Sequence, residues 1–327
     1  MKALIVGLGS IGRRHLANLK SLGVTSHITI LRRSEESEPT ASGCEVVFDV
    51  SEVLKSPPDF AIISSPASEH VKVALQLAQA GVHLLIEKPL SHQLAGIDEL
   101  LKLARERTLA LMVGYNFRFY EPLQIIKQFL VDGAIGRPLL LRAAVGQFLP
   151  DWRYNVDYRQ SPSARAATGG GAVLELSHEI DYARWLMGEP QTVFARTDRL
   201  SDLDLDVEDS AEVIMTFANG ATGNIHLDMI DRASTRNCRI TGTEGTITWD
   251  GLTHQVRLWS AANNDWRDLH PASDIDRNAM YVAELSHFLT CIETSQTPEV
   301  TGEDGKRLVE IAETIKRSSI EQRVISL

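Results

Sequence analysis

Cysteine is scarce in this chain. Cys44, Cys238 and Cys291 are the three present in 327 residues. Their odd number and wide spacing match neither a zinc motif nor a disulfide framework, so no metal is expected and a reducing compartment is. Long apolar runs are missing too: none approaches the ~18 residues that a membrane helix needs. The first apolar run stops at Gly7, and no small-residue cleavage site follows it. The start therefore reads as a strand rather than a signal peptide, and the expected location is the cytoplasm. A basic block is also absent, since Asp and Glu outnumber Lys and Arg by 43 to 33 for a net charge of -10. That argues against nucleic acid as the main partner, while local arginines can still hold a small anion. Internal repeats and low-complexity segments do not occur.

What is present is the mixture of a soluble globular protein, with 43% hydrophobic and 23% charged residues. The length suits two domains better than one core. In the first part, short apolar runs alternate with helical stretches. The runs are Ala3–Val6, Ile28–Leu31, Phe60–Ile63, His83–Ile86 and Ala110–Val113, with a weaker one at Val46–Phe48. They show little alternation, as strands covered on both faces do. Between them, Ile11–Leu22, Val71–Ala80 and Ile97–Arg107 carry helical periodicity. A doubly wound parallel sheet with crossover helices follows, in an α/β fold.

Gly7, Gly9 and Gly12 form G-x-G-x-x-G between the first strand and helix, with Ser10 and Ile11 inside the turn. One glycine permits the tight turn, the next lets backbone approach a pyrophosphate, and the third lets helix and strand pack closely. The helix N-terminus then offers unpaired N–H groups to the phosphates. This is the fingerprint of a dinucleotide-binding (Rossmann) domain. At the end of the second strand, where an enzyme for NAD usually places an acid, stand Arg32 and Arg33, then Ser34, Glu35 and Glu36. Guanidinium groups suit a 2′-phosphate, so the expectation leans from NAD to NADP; the alternative is solvated loop charge.

Past Phe119 the pattern changes. Pro122–Val131 reads as a helix and Leu139–Phe148 as a strand. Further strands are expected at Val193–Thr197, Ala211–Phe217, Thr222–Leu227, Arg239–Thr241, Thr246–Trp249 and Val256–Trp259. Asn219-Gly220 between two alternating runs signals a hairpin, so this sheet is open and mostly antiparallel or mixed. The predicted domains are 1–118 and 119–327. Helices at about Met280–Thr294 and Glu303–Ser319 close the chain, the last packing back toward the first domain. Gly169-Gly170-Gly171 leads into a helical stretch with Glu175, His178 and Asp181 at offsets of three, along one side. There Asp181 can orient His178 and keep it basic; the alternative is a histidine that caps or packs. The loop Asp151–Arg165 contains Trp152, Arg153, Tyr154, Tyr158 and Arg159. Aromatics stack on sugar faces and arginines pair with anions, though such a loop also simply caps and turns.

SSPASEH (Ser64–His70), LLIEKPL (Leu84–Leu90), GYNFRF (Gly114–Phe119), GGGAVLELSHEID (Gly169–Asp181) and TGEDGKRLVEIAETI (Thr301–Ile315) follow GLGSIGRRH in that order. Together they resemble the Gfo/Idh/MocA oxidoreductase family over nearly the whole chain. The resemblance implies hydride transfer between NAD(P) and a hydroxyl or keto carbon of a sugar, sugar nucleotide or inositol. It implies that Ser64, Pro66, His70 and Glu87 lie by the cofactor, and Tyr115, Asn116 and Arg118 by the substrate. Lys88 becomes a catalytic or substrate-orienting residue, with a cis Lys88-Pro89 bond, and His178 a general base beside Asp181. Many members carry Asp four residues before that histidine; here the position is Leu174, and Glu175 stands three before. Homodimers or homotetramers are common in the family. Two other activities remain open: a glycosidase with tightly bound NAD, and a non-catalytic sugar-binding scaffold.

Overall fold

A computed structural model describes residues 1–24, 27–33, 43–153 and 156–327. The chain forms two compact units. One combines Met1–Asn116 with Asn278–Val309, the other Phe117–Arg277 with Glu310–Leu327. The first boundary thus lies at 116/117, against the expected 118/119, and a late segment returns to the first unit instead of staying in the second.

The chain begins with β1 (Ala3–Val6), α1 (Ser10–Ser21), β2 (Ile28–Leu31), β3 (Glu45–Val47), α2 (Val50–Val53) and β4 (Phe60–Ile63). It continues through α3 (Ala67–Gln79), β5 (His83–Glu87), α4 (Ile97–Glu106) and β6 (Leu111–Gly114). The six strands pair in the order β3-β2-β1-β4-β5-β6, all parallel. This is the Rossmann order, and its reversal between β1 and β4 opens a crevice at the carboxyl ends of the strands. Every residue of β1, β4 and β6 is buried, which explains the unalternating runs.

The second unit starts with α5 (Glu121–Val131), β7 (Pro138–Gly146), α6 (Ala172–Glu175) and α7 (His178–Met187). Then come β8 (Pro190–Asp198), β9 (Ser210–Phe217), β10 (Thr222–Asp228), β11 (Thr235–Gly242), β12 (Gly245–Asp250), β13 (Val256–Ser260) and β14 (Asp265–His270). Together with the terminal β15 (Ile325–Ser326), these strands form one nine-stranded sheet, β14-β13-β12-β11-β7-β10-β9-β8-β15. Among the described residues of this sheet only β7 and β10 pair in parallel, so the sheet is mixed as expected. Strand β9 alternates, Val213, Met215 and Phe217 facing inward and Glu212, Ile214 and Thr216 outward. Helix α7 packs on β7 and β10. The expected single helix through Glu175, His178 and Asp181 is two: it breaks at Leu176-Ser177. Glu175 therefore does not share a helix side with His178.

Helices α8 (Ala279–Thr294) and α9 (Gly302–Glu321) complete the chain. In the first unit, Val113 N–H donates to Val300 O, and Thr301 bridges Met112 at the free edge of β6. Thr301 and Asp304 cap α9 reciprocally: Thr301 N–H reaches the Asp304 carboxylate at 2.9 Å and Asp304 N–H the Thr301 hydroxyl at 3.1 Å. Gly305 is needed here, because a Cβ would fall 2.6 Å from Val113 Cγ2. The beginning of α9 so packs in the first unit. In the second unit, Ser318 near its end takes the Ala195 N–H at 3.0 Å. No helix among the described residues is long and apolar enough to cross a membrane.

Candidate functional site

In the first unit, the glycine turn separates its three tasks by geometry. Gly7 has φ +86°, a left-handed conformation that favours glycine. At Gly12 a Cβ would lie 2.1 Å from Gly7 O, so helix and strand touch backbone to backbone. Gly9 caps α1 and has open space where its Cβ would be, with nothing within 4 Å. Among the described residues no side chain caps α1. Its first N–H groups are therefore available to an anion, beside exposed Ser10 and half-buried Ile11.

The neighbouring loops are held by side chains that the family resemblance implies lie by the cofactor. Ser64 Oγ donates to the carbonyls of Val6 and Gly7, at 3.0 and 2.9 Å, and so ties β4 to the glycine turn. Pro66 caps α3. His70 is buried, its two ring nitrogens 2.7 Å from Ser65 O and 3.0 Å from Pro89 O. Burial pushes its pKa below the ordinary value. It fixes two loops at the carboxyl edge. Ser65 was missed: its Oγ is buried with no hydrogen-bond partner among the described residues. Asn116 Oδ1 is in the same condition. Such unsatisfied buried groups, at a carboxyl edge with an open glycine turn, fit a dinucleotide.

Glu87 ends β5 and meets His15 Nε2 at 2.6 Å. Lys88 follows it, half-buried, and Lys88-Pro89 is cis, as the motif implied. Tyr115 is fully enclosed just beyond β6. Arg32 directly follows β2; its backbone N–H joins Val47 O and its side chain is buried, while Arg33 is exposed. Ser34, Glu35 and Glu36 lie outside the described residues.

In the second unit, His178 is the first residue of α7 and stacks on Phe117, centroids 4.5 Å apart and planes at 19°. The Arg236 guanidinium lies over the Phe117 ring at 4.8 Å and is bonded to fully buried Glu179 at 2.9 Å. Asp181, also fully buried, takes Arg118 through Nε at 3.2 Å to both oxygens and Nη2 at 2.7 Å. Two expected site residues thus form a bidentate pair that clamps the turn carrying Phe117 and Arg118 to α7. Phe117, Glu179 and Arg236 were not named from the sequence. Their signal was faint: Glu179 lies inside the S-H-E-I-D run, but Arg236 is 57 residues from it.

The loop residues are less focused. Trp152, Arg153 and Tyr158 line a cavity of about 10 Å³ with Leu149, Val156 and Ser161. That holds about one water. Tyr158 OH accepts the Asp204 N–H, and Asp157 balances the charge of Arg159 at 2.8 Å. Tyr154 lies outside the described residues. Half-buried Glu175 ends α6.

A parallel sheet in Rossmann order, with an open glycine turn at its carboxyl edge and a separate mixed-sheet unit, defines a two-domain dinucleotide-dependent oxidoreductase class. Residues 1–115 match the model of the oxidoreductase family with an NAD-binding Rossmann fold, and residues 123–248 that of the GFO/IDH/MocA C-terminal domain. The chain belongs to the Gfo/Idh/MocA family and is an NAD-binding oxidoreductase. Myo-inositol 2-dehydrogenase of Thermotoga maritima is 28% identical over 100% of this chain and 98% of its own. The scyllo-inositol 2-dehydrogenase (NAD(+)) of Bacillus subtilis is 26% identical, covering 95% and 92%. A levoglucosan dehydrogenase solved with NADH superposes with a TM-score of 0.89 at 21% identity, over 100% of this chain and 98% of that one, which supports the fold.

Proposed function

We propose that the protein transfers a hydride between NAD(P) and a secondary hydroxyl carbon of a polyol, sugar or sugar nucleotide. The observation that carries this is the open Gly9 turn at the uncapped start of α1. Relatives named as inositol dehydrogenases support the substrate class. The bound nicotinamide supplies the hydride acceptor or donor. On the protein's side, Lys88 lowers the energy of the alkoxide as it forms, and His178 takes the hydroxyl proton. Phe117 stacking holds the imidazole plane, and the Arg118–Asp181 clamp fixes the helix start that carries it. Asp181 so orients His178 through the backbone of α7. Reduction runs the same steps backwards.

Exposed Arg33, beside Arg32, supports a preference for NADP through its 2′-phosphate. Changing both to Ala should then weaken NADP more than NAD, and equal losses would remove the preference. The outer face of the nine-stranded sheet exposes Leu140, Phe194 and Ile214 at 42–46%. That supports a homodimer or homotetramer, which light scattering at the 36.2 kDa monomer mass would refute. The functional test is stoichiometric formation of free NADH or NADPH across a panel of inositols, sugars and sugar nucleotides. Glycoside cleavage without net reduced cofactor would replace the dehydrogenase reading with the glycosidase one.

A further inference from the structure

Glu284 lies in the middle of α8, in the first unit, with no exposure to solvent. Neither of its carboxyl oxygens has a hydrogen-bond partner among the described residues. An ionised carboxylate in that state is strongly disfavoured, so Glu284 holds a proton. Burial, and then the charge of Glu87, push its pKa far above the ordinary value.

The groups around it are identifiable. From β5 comes Glu87, 12% exposed and bonded to the fully enclosed His15. Helix α1 contributes His15, edge-on to the Tyr281 ring, and Arg14, whose guanidinium lies 4.4 Å from the centre of the same ring. Tyr281 precedes Glu284 by one turn; burial and the charge of Glu87 push its phenol up. Gly114, at the end of β6, completes the enclosure, since a Cβ there would lie 3.1 Å from Glu87 Oε2. Glu284 is therefore buried one turn from Tyr281, which meets the His15–Glu87 pair, and Glu87 ends β5 at the edge where a doubly wound sheet receives its ligand.

We propose that Glu284 holds a proton that leaves when an oxidised dinucleotide binds and stays when a reduced one binds. The proposal rests on the reading that this unit binds a nicotinamide dinucleotide. The oxidised ring carries a positive charge that the reduced ring lacks. A unit charge within a few ångströms in the interior favours a carboxylate by about a hundredfold or more. The Glu284 O–H bond breaks, its electron pair stays on the carboxylate, and the proton leaves to water. Once the ring is reduced, that charge is gone and Glu284 takes a proton back. Glu284 thereby acts as a sensor of cofactor charge.

Calorimetry of the full chain with NAD+ and with NADH, and with the NADP pair, in two buffers of different ionisation enthalpy counts the protons exchanged. About one proton should be released with the oxidised form and about none with the reduced. Affinity for the oxidised form then rises by up to about tenfold per pH unit while that for the reduced form stays flat. Glu284→Gln, nearly isosteric and neutral, should bind both without proton release, which separates Glu284 from His15 as the source. Equal proton counts for the two redox forms overturn the proposal, and so does release that persists in Glu284→Gln. The wild-type comparison alone decides if that variant fails to fold. Binding with no difference between redox forms overturns this inference only; no binding of any dinucleotide overturns the cofactor reading as well.

Discussion

Gly9→Asp should stabilise the free protein and sharply weaken its cofactor affinity. Gly9 has φ -71° and ψ -168°, an extended conformation open to any residue, and nothing lies within 4 Å of the position a Cβ would take. An aspartate is thus sterically free there. It would supply the missing side-chain cap of α1, whose first turn holds no acid. Asp gains a few tenths of a kcal/mol over Gly at this position. The helix dipole adds about 0.3–1 kcal/mol. Together they raise Tm by roughly 1–4 °C for a unit of this size. Against a pyrophosphate the same carboxylate is repulsive: at ~5 Å and an effective dielectric of ~20, each like charge costs about 3 kcal/mol. Affinity should fall by about a hundredfold or more. Gly12→Ala is the contrast. Its Cβ meets Gly7 O at 2.1 Å and Ser64 Oγ at 2.8 Å, atoms already bonded to each other. It should cost about 1–3 kcal/mol or more with no cofactor present. Thermal unfolding of the apoprotein and calorimetry with NAD+ and NADP+ measure both quantities. A stable Gly9→Asp protein with wild-type affinity would show that this turn does not face the pyrophosphate.

Three further outcomes follow from the second unit and the lysine. Arg118→Ala leaves Asp181 buried and without its bidentate partner, so it should cost about 3–5 kcal/mol in denaturant titration; a loss below about 1 kcal/mol would show that water replaces the guanidinium. His178→Ala should lower kcat by ~10²–10⁴ with cofactor affinity nearly unchanged, and adding Lys88→Ala should cost less than the product of the single effects. Near-normal turnover in His178→Ala, with Lys88→Ala inactive, would move the proton transfer to lysine. His226 is held by Asp228 at 2.8 Å and Glu212 at 2.6 Å; the Asp228 bond is the larger cause of a pKa raised to about 9. Because the folded value is raised, this stabilisation is complete below the unfolded value of ~6.5 and is lost as pH climbs through about 9. Tm should fall over that window more in wild type than in His226→Gln, and parallel curves would refute it.

The first unit was readable because its strands are buried on both faces, which forces continuous aliphatic runs, and because Gly7, Gly9 and Gly12 are each dictated by backbone geometry. In the mixed sheet, one-sided burial imprinted the alternation of β9 and β10. Strand β14, Asp265–His270, escaped because none of its residues is buried and its composition is polar. The tiny α2 and β15 carry too few residues to show a period. At the site, single residues were legible but their partners were not. Asp181 was found, yet its pairing with Arg118 spans 63 residues. Ser64 was chosen over Ser65, although only the structure shows which hydroxyl is tied to backbone. Glu284 resembles any polar residue of an amphipathic helix until its burial is known.

The split of the first unit along the chain has a consequence for its biosynthesis. The edge of β6 is closed by the backbone of Val300 and Thr301, and Glu284 and Tyr281 arrive on a helix of the same late segment. Roughly 160 residues must be translated between the two pieces. At ~5–20 residues per second, a nascent first unit waits on the order of 10–30 s with that edge unpaired. An open strand edge is a template for foreign pairing during this interval. The ribosome therefore cannot release a finished dinucleotide-binding module early, and a message truncated near residue 118 would yield a fragment that lacks its own last wall.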